Sequence, residues 1–151
     1  MSKHLKNIFP KETLSAISAA IGKAENSTSG EIRVAVRQKR GWRERKYTIE
    51  DLARKEFRLL GMTNTKDRTG VLIFLLLEDK KFFILADEGI YAKIPSEKWV
   101  SIAKEMSGFF SGNDFRKGII LGVQAVGEIL ATFFPRKSDD KNELSDEVTV
   151  K

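Results

Sequence analysis

Cysteine is absent from this chain, histidine occurs once, and there are three prolines in 151 residues. The missing cysteine removes disulfides, thiolate nucleophiles and zinc–thiolate sites, but it leaves the compartment open, because many secreted proteins also lack disulfides. The one histidine, His4, stands in a short polar leader expected to be mobile, which argues against a Ser-His-Asp triad or a histidine-held metal. There is no Gly-rich phosphate loop, Walker motif, EF-hand loop or Asp-x-Asp. No apolar run approaches the roughly 20 residues of a membrane-spanning helix. Residues Met1 to Phe9, which include Lys3 and Lys6, lack the apolar stretch of a secretory signal. The expectation from these absences is a soluble, cytoplasmic protein without a transmembrane span.

With hydrophobic residues at 41% and charged residues at 32%, the chain can bury one proper core but not two comfortable ones. The strongest pattern runs from Gly70 to Gly89. Seven apolar residues, Val71 to Leu77, precede a polar break at Glu78 to Lys81 and a second apolar run, Phe82 to Ala86. An uninterrupted run bounded by Gly and charge suits a strand buried on both faces, so the stretch reads as a hairpin at the centre of a sheet covered on both sides.

Taken in order, Pro10 and Glu12 open a helix with Leu14, Ile17, Ile21 and Ala24 on one stripe, ending near Glu25 before the turn-forming run Asn26 to Gly30. Residues Glu31 to Arg37 alternate with period two and read as a less buried strand. Thr48 and Asp51 form a capping box ahead of a helix carrying Leu52, Ala53, Phe57 and Leu60, with Gly61 as its C-cap. The order strand, helix, strand makes a βαβ unit, so strands 31–37 and 71–77 should be parallel. Tyr91 to Ile94 reads as a short edge piece. Helices then follow from Pro95 to Phe110 and from Phe115 to Phe134, the second capped by Asn113 or Asp114 and stopped by Pro135. Gly118 and Gly122, four apart inside that helix, imply close approach to the sheet or to another helix. The predicted architecture is α/β: a three-layer α/β/α sandwich on a small mixed sheet. It comprises one domain over 1–135 and a polar, extended or mobile tail over 136–151.

Net charge is +6, and its distribution matters more than its total. From Arg37 to Lys46, six bases (Arg37, Lys39, Arg40, Arg43, Arg45, Lys46) stand against one acid, Glu44, for a local charge of +5. Trp42 and Tyr47 lie among them, an arrangement able to stack on bases or to rest on an anionic surface. This loop and the hairpin turn should share one end of the sheet. The other end should gather Glu31, Asp67, Asp87 and Glu88, joined by Asp114 if the last helix starts there. Converging carboxylates and turn carbonyls form a hard-oxygen site suited to Ca²⁺ or Mg²⁺.

Several strings together resemble the TPM domain, named for a thylakoid lumen protein, a photosystem II repair protein and a modulator of acetylcholine receptors. They are Thr28-Ser29-Gly30-Glu31-Ile32-Arg33-Val34, Asp67-Arg68-Thr69-Gly70-Val71-Leu72-Ile73, Ala86-Asp87-Glu88-Gly89-Ile90 and Phe115-Arg116-Lys117-Gly118-Ile119. The resemblance covers about residues 10 to 135, and the tail through Asp139-Asp140 and Asp146-Glu147 resembles a short bacterial branch. It implies an α/β/α sandwich, divalent-cation binding and, as in the plant lumen member, acid phosphatase activity. Many members carry a glycine-rich turn ending in Glu; this chain has Asp87-Glu88-Gly89-Ile90-Tyr91 instead.

Two functions compete at this stage. One is a cation-binding interaction module whose partner is another protein or a membrane-associated complex, with nucleic acid the less favoured partner. The other is a metal-assisted acid phosphatase with Asp87 or Asp67 as ligand, for which no nucleophile and base pair is evident. The basic loop 37–46 adds a third possibility, binding of an anionic surface or of nucleic acid.

Overall fold

The computed structural model describes residues 2–65, 68–137 and 145–151. The leader is not loose. Ser2 caps a short helix, α1 (Lys3–Ile8), through its hydroxyl, and Leu5 and Phe9, four residues apart, are buried in the main core. Pro10 precedes α2 (Lys11–Glu25), whose Ile17 and Ile21 form the buried stripe. β1 (Glu31–Arg37) follows, and a single 3-10 turn at Trp42–Glu44 interrupts the basic loop. In α3 (Ile49–Leu59) Thr48 and Asp51 exchange both bonds of the capping box, and Gly61 takes the left-handed conformation (φ 69°) that ends it.

β2 (Gly70–Leu76) and β3 (Lys81–Ala86) form the hairpin. The strand order is β3-β2-β1-β4, with β1 parallel to β2 from Glu31 opposite Gly70 to Arg37 opposite Leu76, and β2 antiparallel to β3. All seven residues of β2 are buried, as its apolar run requires. Its alternate side chains feed two cores. Val71, Ile73 and Leu75 join Ile32, Val34 and Val36 beneath the helices of one face; Leu72, Phe74 and Leu76 pack with Leu52, Ala53 and Phe57 of α3 on the other.

Two further segments differ from the sequence reading. The stretch expected to be an edge piece at Tyr91–Ile94 belongs instead to a one-turn helix, α4 (Glu88–Tyr91), and the turn after it, because Asp87 caps the backbone at the exit of β3 and starts helical bonding there. The polar tail ends in β4 (Thr149–Val150), which pairs parallel with β1 at Ala35 and Val36.

α5 (Ser96–Ser111) and α6 (Phe115–Phe133) complete the covered face. Added Cβ atoms on Gly118 and Gly122 would lie 2.4 Å from the Phe110 ring and 2.7 Å from Met106, so these glycines permit the close approach of α6 to α5. The C-terminus of α6 reaches the start of β1, where the Thr28 hydroxyl donates to the Leu130 carbonyl at 3.1 Å and Ser29 N–H to Phe134 O at 2.9 Å. Its N-terminus therefore lies at the opposite end of the sheet, where Asn113, Asp114 and Arg116 share a cleft with Leu77, Glu78 and Lys80.

Candidate functional site

The acidic end is built by the entry of β1 and β2 and the exit of β3. Glu31 N–H donates to Thr69 O at 3.1 Å and Asp87 N–H to Gly70 O at 2.8 Å, so Glu31, Asp87 and Glu88 do meet at one end of the sheet. Asp114 does not join them, because the direction of α6 carries it to the other end, where it caps that helix by accepting from Lys117 N–H. Asp67 lies outside the described residues.

Asp87 is held in a closed set of bonds. Its buried carboxylate accepts from Arg68 Nε at 3.0 Å and Nη2 at 3.1 Å, and from Glu88 N–H at 2.8 Å. Arg68 also reaches the exposed Glu88 carboxylate at 3.2 Å, and its guanidinium is pushed above its ordinary pKa chiefly by the Asp87 bond. The pair therefore neutralises itself. Beside it opens a cleft of about 330 Å³ lined among others by Arg54, Arg58, Phe57 and Tyr91.

A second acidic group, not anticipated in the sequence, lies on the other side of the same end. Glu25 is the last residue of α2, only 5% exposed, and its Oε2 accepts from Ile32 N–H at 2.8 Å. Burial drives its carboxyl pKa far upward, and the neighbouring Asp146 carboxyl adds to this, with a smaller repulsion from Glu31. Asp146 is brought there by the segment leading to β4: its carbonyl accepts from the Ser18 hydroxyl at 2.8 Å, and its Oδ2 lies 3.3 Å from where a Cβ on Gly22 would sit. Arg136 Nη1 donates to the Glu25 carbonyl at 3.0 Å. The sequence carried one signal of this site. A glutamate at the last position of a helix faces the negative end of the helix dipole, an unfavourable place unless something else holds it.

The basic end is organised by a carboxylate with the opposite fate. Glu44, 6% exposed, receives Arg37 through both guanidinium arms at 2.6 and 3.1 Å, Lys55 Nζ at 2.9 Å and Gly41 N–H at 2.7 Å. The Arg37 bonds above all hold its pKa far below the usual carboxylate range. Arg40 pairs with Asp79 of the hairpin turn at 3.2 Å and donates to Tyr47 O. Two of the six bases are thus consumed in holding the loop. Lys39, Arg43, Arg45 and Lys46 remain exposed, with Arg43 lying over the Trp42 ring at 4.9 Å. Among the described residues, no three His, Cys, Asp or Glu are arranged as a ready metal shell, and no helix is long and apolar enough to cross a membrane.

A parallel βαβ unit with a returning hairpin, helices on both faces and charge separated to the two ends defines an α/β/α domain of a particular kind. Residues 3–129 match the TPM domain, and the chain belongs to that family. Among solved structures it is similar to the BA42 protein of the psychrophilic bacterium Bizionia argentinensis, with 35% identity, 93% of each chain covered and a TM-score of 0.84. The fold is shared with the N-terminal domain of a protein from P. gingivalis (20% identity, 83% of this chain and 78% of that one, TM-score 0.67). It is also shared with the N-terminal domain of the cg2496 protein of Corynebacterium glutamicum (12% identity, 91% and 78%, TM-score 0.59). No protein of curated function matches the chain.

Proposed function

We propose that this TPM domain is a divalent-cation-binding interaction module, with Ca²⁺ or Mg²⁺ drawn to the acidic end at Glu25 and Asp146 and its remaining donors supplied by water. The observation that carries this reading is the buried Glu25 carboxyl, driven to keep its proton by burial and by the neighbouring Asp146. Carboxyls crowded so that they share a proton offer the hard oxygen donors a divalent cation prefers, and metal binding releases the proton. Asp87 and Glu88 are bridged by Arg68. Calcium titration followed through amide shifts tests the reading. Saturable shifts at Glu25, Glu31, Ile32 and Asp146, lost in Glu25→Gln, are expected; shifts confined to Asp87 and Glu88 would move the site, and none at millimolar metal would end the proposal.

The metal-assisted acid phosphatase reading draws on a different observation. The cleft beside Asp87 is lined by Arg54, Arg58 and Arg68, and Arg58 has no acidic partner among the described residues, so an anionic group could be received there. Hydrolysis of p-nitrophenyl phosphate that follows added metal and disappears in Arg58→Ala and Asp87→Ala would favour it.

A further inference from the structure

We propose that the basic end of the domain is a docking surface for an anionic phospholipid bilayer, an activity that does not rest on cation binding at the opposite end. The loop is a rigid platform. Its one acid, Glu44, faces inward and is saturated by Arg37, Lys55 and Gly41 N–H, while Arg40 ties the loop to Asp79 on the hairpin turn. Glu56, the other acid lining that groove, is covered by Lys151 Nζ at 2.7 Å. What the loop presents to solvent is therefore positive: Lys39, Arg43, Arg45 and Lys46 are all exposed and have no acidic partner among the described residues. In the midst of this charge Trp42 is 74% exposed and Leu59, at the last turn of α3, is 65% exposed. Both line one groove of about 600 Å³, together with Lys39, Arg43 and Lys55.

The apolar members decide between lipid and nucleic acid. Arg43 already covers a face of the Trp42 ring, leaving that face closed to a stacking base. Leu59 has nothing to offer a nucleotide but is well suited to the acyl boundary. An indole at the headgroup level, a leucine beside it and a ring of cations around both is the composition of an interfacial membrane contact. The cations contribute attraction to anionic headgroups and the two apolar side chains contribute insertion, so both should be needed.

Co-sedimentation of the full chain with vesicles tests this, comparing pure phosphatidylcholine with an equal mixture of phosphatidylcholine and phosphatidylglycerol. Binding to the anionic vesicles that weakens with added salt is expected, with a blue shift of tryptophan emission that is lost in Trp42→Phe. Arg45→Gln with Lys46→Gln should lower the partition coefficient about twentyfold, and Trp42→Ala about tenfold. Both are surface changes, and unaltered thermal unfolding will show that the fold is kept. Equal binding to neutral vesicles, indifference to both sets of substitutions, or preferential retention of single-stranded DNA at the same salt would overturn the proposal.

Discussion

Two buried glutamates, one at each end of the sheet, show how little burial alone determines. Glu25 and Glu44 are 5% and 6% exposed, yet their carboxyl pKa values move in opposite directions. Glu44 is surrounded by a guanidinium, an ammonium and a backbone N–H, so its charged form is favoured in spite of desolvation. Glu25 has one backbone N–H in its favour, against desolvation and the carboxyls of Asp146 and Glu31. The same side chain is a structural counterion at the basic end and a proton holder at the acidic end. The first holds a loop in shape, whereas the second leaves room for exchange of a proton for another cation.

The largest effect should come from breaking the saturated end. Glu44→Ala leaves Arg37 and Lys55 facing each other without their shared anion, and removing one partner of such a buried set should cost about 3 kcal/mol, read from urea unfolding. Acid should act in the same direction. A carboxyl whose folded pKa is depressed stabilises the fold above its ordinary value of 4.5, and that contribution is lost as pH falls toward the folded value. Unfolding midpoints measured below pH 4.5 should therefore fall less steeply in Glu44→Gln than in the parent chain.

Glu25 should behave in the opposite sense. Its folded pKa is raised, so its contribution is complete below the ordinary value of 4.5 and is lost as pH rises toward the folded value. Glu25→Gln mimics the protonated form: the amide oxygen can still accept from Ile32 N–H, and the amide nitrogen can donate to Asp146. In metal-free buffer this substitution should raise stability by about 2 kcal/mol at neutral pH and flatten the dependence above pH 4.5. A fall in stability on making the substitution would mean that Glu25 is held as a carboxylate, and the contrast between the two ends would collapse.

How far the sequence anticipated this arrangement depends on the distance over which each feature is determined. The hairpin at 70–86, the Thr48–Asp51 capping box and the stop at Gly61 are set by neighbours within a few residues and were legible there. The internal pairing of Arg40 with Asp79 also follows the predicted meeting of loop and hairpin turn. The place of Asp114 depends on which way α6 lies across the sheet, which no local pattern states. Leu5, Ile8 and Phe9 stand at helical spacing, but a single turn of pattern in a polar leader is too short to establish a period. Glu25 and Asp146 are joined only by tertiary packing, and Asp87 was visible without the Arg68 that neutralises it.

A smaller effect is expected where the basic end meets the last strand. β4 is held by Lys151, whose N–H donates to Val36 O at 2.8 Å and whose carbonyl accepts from Gln38 N–H at 2.8 Å, while its ammonium covers the buried Glu56 at 2.7 Å. Lys151→Met keeps the two backbone bonds and the aliphatic stem and removes only the charge. The ammonium is about half in solvent, which screens the pair, so a loss of about 1 kcal/mol is expected. The substitution also asks whether the two ends are independent. Asp146 reaches Glu25 through the same segment that carries Lys151, so if loosening β4 releases Asp146, the calcium response at Glu25 and Ile32 will weaken along with stability. If stability falls by that amount and the calcium response is untouched, the Ser18 bond to Asp146 suffices to hold the acidic end, and the two poles work separately.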